Sequence, residues 1–192
     1  MGKIIEQSTQ KTIHELINTK ISIPLGLNST FMALSPHPEG ETIHGYDESS
    51  GNVVDITNFT PSDEINYHLA WTAGGMFSTL DDLHIWARAL AIGSLISDSL
   101  HLQQMPILKP PSDILPVSTG YGMGVSQTDV WIGHAGAISG FICNMNHYPE
   151  KNITVISFFN KFSAFDLEHN ESDLKIVSGN YIELLKIACP ET

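Results

Sequence analysis

The sequence of residues 121–159 is YGMGVSQTDVWIGHAGAISGFICNMNHYPEKNITVISFF, and much of it alternates between apolar and polar residues. A period of two is typical of strands that bury one face. The pattern predicts short turns at 126–129 and 149–152. Strands this close in sequence usually pair with their neighbours, so an antiparallel meander is expected. The predicted strands are 121–125, 130–134, 141–147 and 153–159.

Helical patterns lie on both sides of this region. Residues 4–21 carry apolar side chains at helical spacing, which predicts one amphipathic helix. A second helix is expected to begin at Ser78, with Asp81 completing a capping box, and to end at Gly93. A short helix is expected at 97–105. A closing helix at 172–187 would cover one face of the sheet.

The chain is therefore expected to be α/β, of the α+β type, in a single partial domain spanning residues 1–192. Residues 1–118 would form a helical and loop region, and residues 119–192 the strands and the C-terminal helix. The segment 28–61 is rich in Ser, Pro, Gly and Asn, which predicts an extended loop with short strands at 43–46 and 53–56.

Composition excludes several classes of function. Nine Lys and Arg against 21 Asp and Glu give a net charge of −12, which would repel nucleic acid and anionic membrane surfaces. No stretch approaches the roughly 20 apolar residues of a membrane span, and residues 1–6 do not resemble a signal peptide. Localisation stays open. The two cysteines, Cys143 and Cys189, are expected to be free thiols rather than a disulfide framework.

Six short motifs follow one another along nearly the whole chain. They are Pro-Leu-Gly-Leu-Asn-Ser-Thr at 24–30, His-Gly-Tyr at 44–46, Ala-Gly-Gly-Met-Phe-Ser-Thr at 73–79 followed by Asp-Asp-Leu, Tyr-Gly-Met-Gly at 121–124, Gly-His-Ala-Gly at 133–136, and Pro-Glu at 149–150. In these motifs and their order the chain resembles the family of class C β-lactamases, D-alanyl-D-alanine carboxypeptidases and related esterases. The resemblance implies the C-terminal part of a β-lactamase/transpeptidase-like fold.

The resemblance also implies an active site. His134 would hold a substrate carboxylate or assist proton transfer, and Ala135 and Gly136 would lie against the substrate. The backbone N–H of Ala137 would be an oxyanion-hole donor, and Tyr46 would contact substrate. Spacing alone would favour an ordinary strand histidine at His134. At Tyr46 a packed loop aromatic is as well supported as a residue that contacts substrate. At the neighbouring His44 a solvated side chain is as well supported as a functional one.

Two motifs of the family have no convincing counterpart in the sequence. The nucleophile lies in Ser-x-x-Lys and a proton shuttle in Tyr-x-Asn, and no Tyr-x-Asn occurs here. Ser8 and Ser172 begin Ser-x-x-Lys matches, but one lies inside the first predicted helix and the other caps the last, so neither is expected to be the nucleophile. The chain is therefore expected to correspond to the C-terminal portion of the family's domain, either as a fragment of a longer protein or as a reduced relative, and to be inactive alone.

The leading hypothesis is part of a serine acyl hydrolase acting on a β-lactam, a D-Ala-D-Ala or other peptidoglycan-like peptide, or an ester, without a cofactor. The alternative is a non-catalytic module that binds a peptide, a second copy of the chain or the absent N-terminal half through a sheet edge. A zinc hydrolase is disfavoured, because the nine histidines form no H-E-x-x-H motif and no metal site is expected. His147 is expected to be a neutral control position.

Overall fold

The computed structural model describes residues 1–32, 42–49, 52–57, 70–109, 119–162, 181 and 183–190. Its centre is an antiparallel sheet of five strands in the order β5-β6-β7-β8-β9. Sequence order and spatial order are the same, which confirms the predicted meander. The strands are β5 (Thr119–Tyr121), β6 (Ser126–Thr128), β7 (Trp131–Ile138), β8 (Phe141–Tyr148) and β9 (Ile153–Phe159).

The first predicted strand is placed wrongly. Residues 122–125 form the turn between β5 and β6, whereas the predicted turn at 126–129 is mostly strand. Gly124 has φ 72°, a conformation that glycine adopts without strain. A side chain at Gly122 would clash with the carbonyl oxygen of Gln104. The two glycines therefore end β5 at Tyr121, although the alternating pattern continues to residue 125.

A long helix, Leu80–Ile92, covers one face of the sheet. Ala87, Leu90 and Ala91 of this helix pack on Val125, Ile132 and Met145. Thr79 is the N-cap and accepts a hydrogen bond from the amide of Asp82, so the helix begins one residue later than predicted from Ser78. Gly93 ends it at φ 67°, as predicted.

The C-terminal helix covers the opposite face. Tyr181 and residues 183–188 are helical. Tyr181 and Leu185 pack with Trp131, Tyr148 and Cys189 in a second buried cluster. This confirms the expectation that a closing helix lies on the sheet, while residues 172–180 of the predicted helix lie outside the described residues.

The N-terminal helix is broken where one continuous helix was predicted. The helix Gly2–Thr9 ends at Gln10, which has φ 56°. A second helix, Ile13–Ile17, begins with a capping box between Thr12 and Glu15. It continues through a π-helical turn at Asn18–Ser22 into the short helix Ile23–Leu25. A local cap thus overrides an apolar stripe that runs across the break.

Two small ladders complete the fold. Strands β1 (Phe31–Met32) and β4 (Met76–Phe77) pair, and β2 (Tyr46–Ser49) forms a hairpin with β3 (Asn52–Asp55). The second pair corresponds to the short strands expected at 43–46 and 53–56, with shifted bounds. The helix Asp98–Gln104 is capped by Ser97, in agreement with the prediction at 97–105.

Asp82 joins two of the sequence motifs. Its side chain is 6% exposed and accepts hydrogen bonds from the amide of Ser29 at 2.8 Å and the hydroxyl of Thr30 at 2.7 Å. The hydroxyls of Thr30 and Ser78 are also 2.8 Å apart. The turn at 26–30 is therefore tied to the start of the long helix by a buried carboxyl group.

Candidate active site

Strand β7 is the middle strand of the sheet and changes character along its length. Trp131, Ile132 and Gly133 are buried, His134 is half-buried, and residues 135–137 are exposed. His134 lies opposite Met145, which packs under the long helix. Because cross-strand partners share a face, His134 is on that face and not under the C-terminal helix. The predicted site residues 134–137 are thus on the more exposed half of a central strand.

The imidazole of His134 has one strong contact. Its Nε2 atom lies 2.8 Å from the hydroxyl oxygen of Tyr121, and the two rings meet edge to face with centroids 5.5 Å apart. Tyr121 ends β5, two strands away, so the side chain reaches across β6. Sequence reasoning did not assign a role to Tyr121, although Tyr-Gly-Met-Gly was among the motifs that carried the resemblance.

The edge of β7 beyond Gly133 is open on the β6 side. Strand β6 pairs only with residues 131–133, and no other described strand continues the ladder there. The carbonyl of Gly133 accepts a hydrogen bond from the Ser126 hydroxyl at 3.0 Å, so its peptide groups face β6. Backbone groups alternate in direction along a strand, which points the amides of Ala135 and Ala137 to the same open edge.

The two glycines of β7 differ in why they are there. A side chain at Gly133 would clash with the carbonyl oxygen of Met145 and lie 2.8 Å from the Cα of Asn146. At Gly136 nothing lies within 4 Å of an added Cβ. Packing among the described residues therefore requires glycine at the first position and leaves free space at the second.

The His-Gly-Tyr segment at 44–46 lies beside the turn that joins β7 to β8. The amide of Tyr46 donates to the carbonyl of Asn160 at 2.9 Å, and its carbonyl accepts from the amide of Phe162 at 3.0 Å. The carbonyl of Phe162 in turn accepts from Gly140, in the turn between β7 and β8, at 2.8 Å. The structure thus places residues 134–137 together on β7 and Tyr46 beside Asn160 and Phe162, and the role of Tyr46 stays a prediction.

His44 is paired rather than simply solvated. Its Nδ1 atom lies 2.6 Å from a carboxylate oxygen of Asp55, whose other oxygen accepts from the amide and hydroxyl of Thr57. These hydrogen bonds, first from Thr57 and then from His44, lower the pKa of Asp55 to about 2. The pair joins the segment just before β2 to the end of β3.

The remaining candidates of the sequence take structural positions. Ser8 is exposed, and its hydroxyl donates to the carbonyl of Ile5 in its own helix at 3.0 Å. Ser172 lies outside the described residues. Neither Cys143 nor Cys189 forms a disulfide, as expected, and burial raises the pKa of Cys143 to about 11.

Neither a metal site nor a membrane-spanning helix is found in the described part of the chain. Among these residues no group of three or more His, Cys, Asp or Glu is arranged to hold a metal ion. Within the same ranges no helix has the length and apolar character needed to cross a bilayer.

The chain belongs to the β-lactamase family, whose model matches residues 1–178. Among curated proteins, it is 27% identical over 169 residues to a D-aminopeptidase of Gluconobacter oxydans, covering 85% of this chain and 30% of that protein. A D-aminopeptidase of Brucella anthropi is 24% identical over 170 residues, with 83% and 29% covered. The chain therefore spans just under a third of the curated relatives that it matches.

Solved structures agree with the fold. A D-stereospecific amidohydrolase from Streptomyces sp. superposes with a TM-score of 0.67 at 25% identity, covering 88% of this chain and 49% of that one. A penicillin binding protein from Bacillus halodurans gives 0.65 at 18% identity, with 92% and 53% covered. A D-amino acid amidase from Ochrobactrum anthropi SV3, complexed with L-phenylalanine, gives 0.65 at 19% identity, with 97% and 56% covered.

Proposed function

We propose that this chain supplies the substrate-binding strand and the oxyanion-hole amide of a serine acyl hydrolase. The open edge of β7 beside the half-buried His134 is the observation that carries the proposal. An extended acyl-peptide or amide could pair with this edge as an added strand, using the outward-facing amides of Ala135 and Ala137. Gly136 leaves room for a substrate backbone on the face that His134 shares.

In the proposed reaction a serine from the family's Ser-x-x-Lys motif attacks the acyl carbon, and the lysine and the tyrosine of Tyr-x-Asn move its proton. The carbonyl oxygen becomes an oxyanion and accepts a hydrogen bond from the amide of Ala137, a contact worth on the order of 3 kcal/mol when well aimed. His134 donates to an oxygen of the substrate. The C–N bond then breaks, and the amine leaves with the proton that was taken from the serine. Water attacks the resulting acyl-serine ester, which releases the carboxylic acid and restores the serine hydroxyl.

The proposed substrates are amides or short peptides of D-amino acids. This narrows the earlier set of β-lactams, D-Ala-D-Ala peptides and esters, because the curated relatives are D-aminopeptidases and two of the solved neighbours are an amidohydrolase and an amidase of D-stereospecific kinds. Tyr46 is proposed to contact the substrate from the hairpin next to the β7–β8 turn.

Complementation tests the proposal. The 192-residue chain is mixed with a separately expressed segment that carries Ser-x-x-Lys and Tyr-x-Asn, and hydrolysis of D-phenylalanine amide and of nitrocefin is followed. We expect amide hydrolysis by the mixture and no covalent adduct of the chain alone with a fluorophosphonate. Stoichiometric labelling of any serine in the chain alone would contradict the assignment of motifs.

His134→Ala should lower turnover in the mixture by roughly 10² to 10⁴, the usual contribution of a positioned acid-base or anchoring group. The matched control is His84→Ala, an exposed position on the long helix. Equal losses at both positions would contradict the role of His134.

A non-catalytic module is the second candidate, because an open strand edge binds an extended chain whether or not a nucleophile is near. In that case a D-amino-acid peptide would bind the isolated chain, and the complemented mixture would bind it without turnover. Size-exclusion chromatography distinguishes a dimer that closes its own edges from a monomer.

A further inference from the structure

We propose that Tyr121 is the positioning residue of His134, fixing both the orientation of its ring and the nitrogen that carries the proton. The observation is the 2.8 Å contact between the Tyr121 hydroxyl and Nε2 of His134. The inference deepens the proposed function and rests on it for the identity of the ligand, whereas the contact itself lies within this chain.

The backbone around Tyr121 is held in place, so the phenol is aimed. A side chain at Gly120 would lie 2.9 Å from the carbonyl oxygen of Ile107, and one at Gly122 would clash with the carbonyl oxygen of Gln104. The amide of Gly122 also donates to the carbonyl of Val125 at 2.8 Å. Both glycines let β5 lie directly against residues 104–107, and Tyr121 projects from between them.

Packing does not explain why the tyrosine points at His134. Tyr121 is 66% exposed and belongs to none of the buried clusters of the described residues. Its hydroxyl and ring edge make the contacts that define its orientation. A phenylalanine would keep the ring contact and remove the hydrogen bond, which makes Tyr121→Phe an isolated change.

The hydrogen bond decides which nitrogen of His134 faces a ligand. A neutral imidazole has one donor and one acceptor nitrogen. A phenol is a stronger acid than an imidazole N–H, and an imidazole nitrogen is a stronger base than a phenol oxygen, so the favoured arrangement has the hydroxyl donating to Nε2. The proton of His134 is then on Nδ1. Protonation adds a proton at Nε2 and leaves the Nδ1–H in place.

His134 would therefore act toward its ligand as a hydrogen-bond donor through Nδ1, and the ligand atom that it meets is an oxygen acceptor, a carbonyl or a carboxylate. A general base would need a free lone pair at the nitrogen facing the ligand. The lone pair of Nε2 accepts the hydrogen bond from Tyr121, so His134 cannot act as a general base while that hydrogen bond is formed.

Nitrogen-15 NMR of the histidine rings in the 192-residue chain tests the inference without any substrate. The signals of His134 are assigned by comparison with His134→Gln. We expect the Nδ1–H tautomer to be the major neutral form in the parent chain and the minor form in Tyr121→Phe. The control is Tyr148→Phe, which removes a hydroxyl from the opposite face of the sheet, and it should leave the His134 signals unchanged.

A parent chain in which His134 carries its proton on Nε2, or an unchanged tautomer in Tyr121→Phe, would overturn the inference. Unchanged signals from the buried His147 report that the fold is intact in each variant. The tautomer shift without hydrolysis in the complemented mixture would refute the proposed function and keep the positioning role. Hydrolysis that depends on His134 but not on Tyr121 would support the proposed function and refute the positioning role of Tyr121.

Discussion

Replacing each glycine of β7 with alanine separates the stability of the sheet from the function of its open half. At Gly133 the new methyl would meet two backbone groups of β8, the carbonyl oxygen of Met145 and the Cα of Asn146. Backbone atoms cannot rotate away, so the strands must separate locally. Overpacking of this kind costs about 1–3 kcal/mol, and more where the neighbour is rigid.

At Gly136 the same change should stabilise the chain. Nothing lies within 4 Å of the added methyl, and Gly136 is not among the glycines with positive φ. Alanine then reduces the entropy of the unfolded chain and contributes about 0.4–1 kcal/mol. The two variants should therefore differ in the free energy of unfolding by about 2–4 kcal/mol.

Urea unfolding followed by tryptophan fluorescence measures this difference, because Trp131 is buried two residues before Gly133. With a slope of about 2 kcal/mol per molar urea, the two midpoints should lie about 1–2 M apart. Equal destabilisation by Gly133→Ala and Gly136→Ala would mean that the second half of β7 is packed by other parts of the chain. That result would refute the open edge on which the proposed site rests.

Three further predictions concern buried groups. Asp82→Ala should lower the free energy of unfolding by about 2–4 kcal/mol, because the Ser29 amide loses its charged partner, whereas the exposed Asp81→Ala should stay within about 0.5 kcal/mol in the same urea assay. Burial lowers the pKa of His147 below 6.5, and the nearby Arg88 lowers it further. The unfolded chain therefore binds the proton at a higher pH than the folded chain, and the free energy of unfolding should fall as the pH drops below about 6.5. His147→Gln should flatten this dependence in urea midpoints measured from pH 8 to 5. Cys143, with its pKa at about 11, should react with iodoacetamide at pH 8 about two orders of magnitude more slowly in the folded chain than in urea, as read by mass spectrometry.

The same buried histidine corrects one choice made from the sequence. His147→Ala was expected to be a neutral control, but His147 is 1% exposed and its Nδ1 lies 2.9 Å from the Thr154 hydroxyl. Truncation would open a cavity and leave that hydroxyl unpaired, so a loss of activity there would report unfolding. Alternation along β8 does not separate a buried histidine from an exposed one, because either face of a covered sheet can be buried.

The sequence predicted most of the long strands well, although β7 runs four residues past its predicted end at 134, and it predicted poorly the boundaries that a single cap or turn decides. Strand β9 has the bounds that the alternation gave, and β7 and β8 begin within a residue of theirs, because many apolar positions define each of them. Caps and turns were given less weight than the longer apolar pattern. The capping box at Thr12 and the glycine turn at 122–124 each decide a boundary with one or two residues, against a pattern that runs through it.

The candidate site divides in the same way. Residues 134–137 were identified because they are consecutive and carry the family's third motif. Tyr121 was not, since it is 13 residues away and meets His134 only after β5, β6 and β7 have paired. A contact across an intervening strand depends on register, which was not predicted, and the bounds of the first predicted strand, 121–125, were wrong. The Asp82 link between two motifs was hidden for the same reason, because its partners are more than 50 residues away.

Strand β7 changes at His134 in three independent respects. Burial ends there, the ladder to β6 ends one residue earlier, and glycine ceases to be required by packing two residues later. Substitutions in β7 before His134 disturb the packing of the core. After His134, packing within the described residues restricts the side chains little. The motif His-Ala-Gly at 134–136 therefore lies where packing among the described residues does not require it, which supports the proposed role of the open edge in binding. This is why Gly136→Ala is informative in both directions: it should leave folding intact or improve it, and any loss of binding or turnover that it causes belongs to the site.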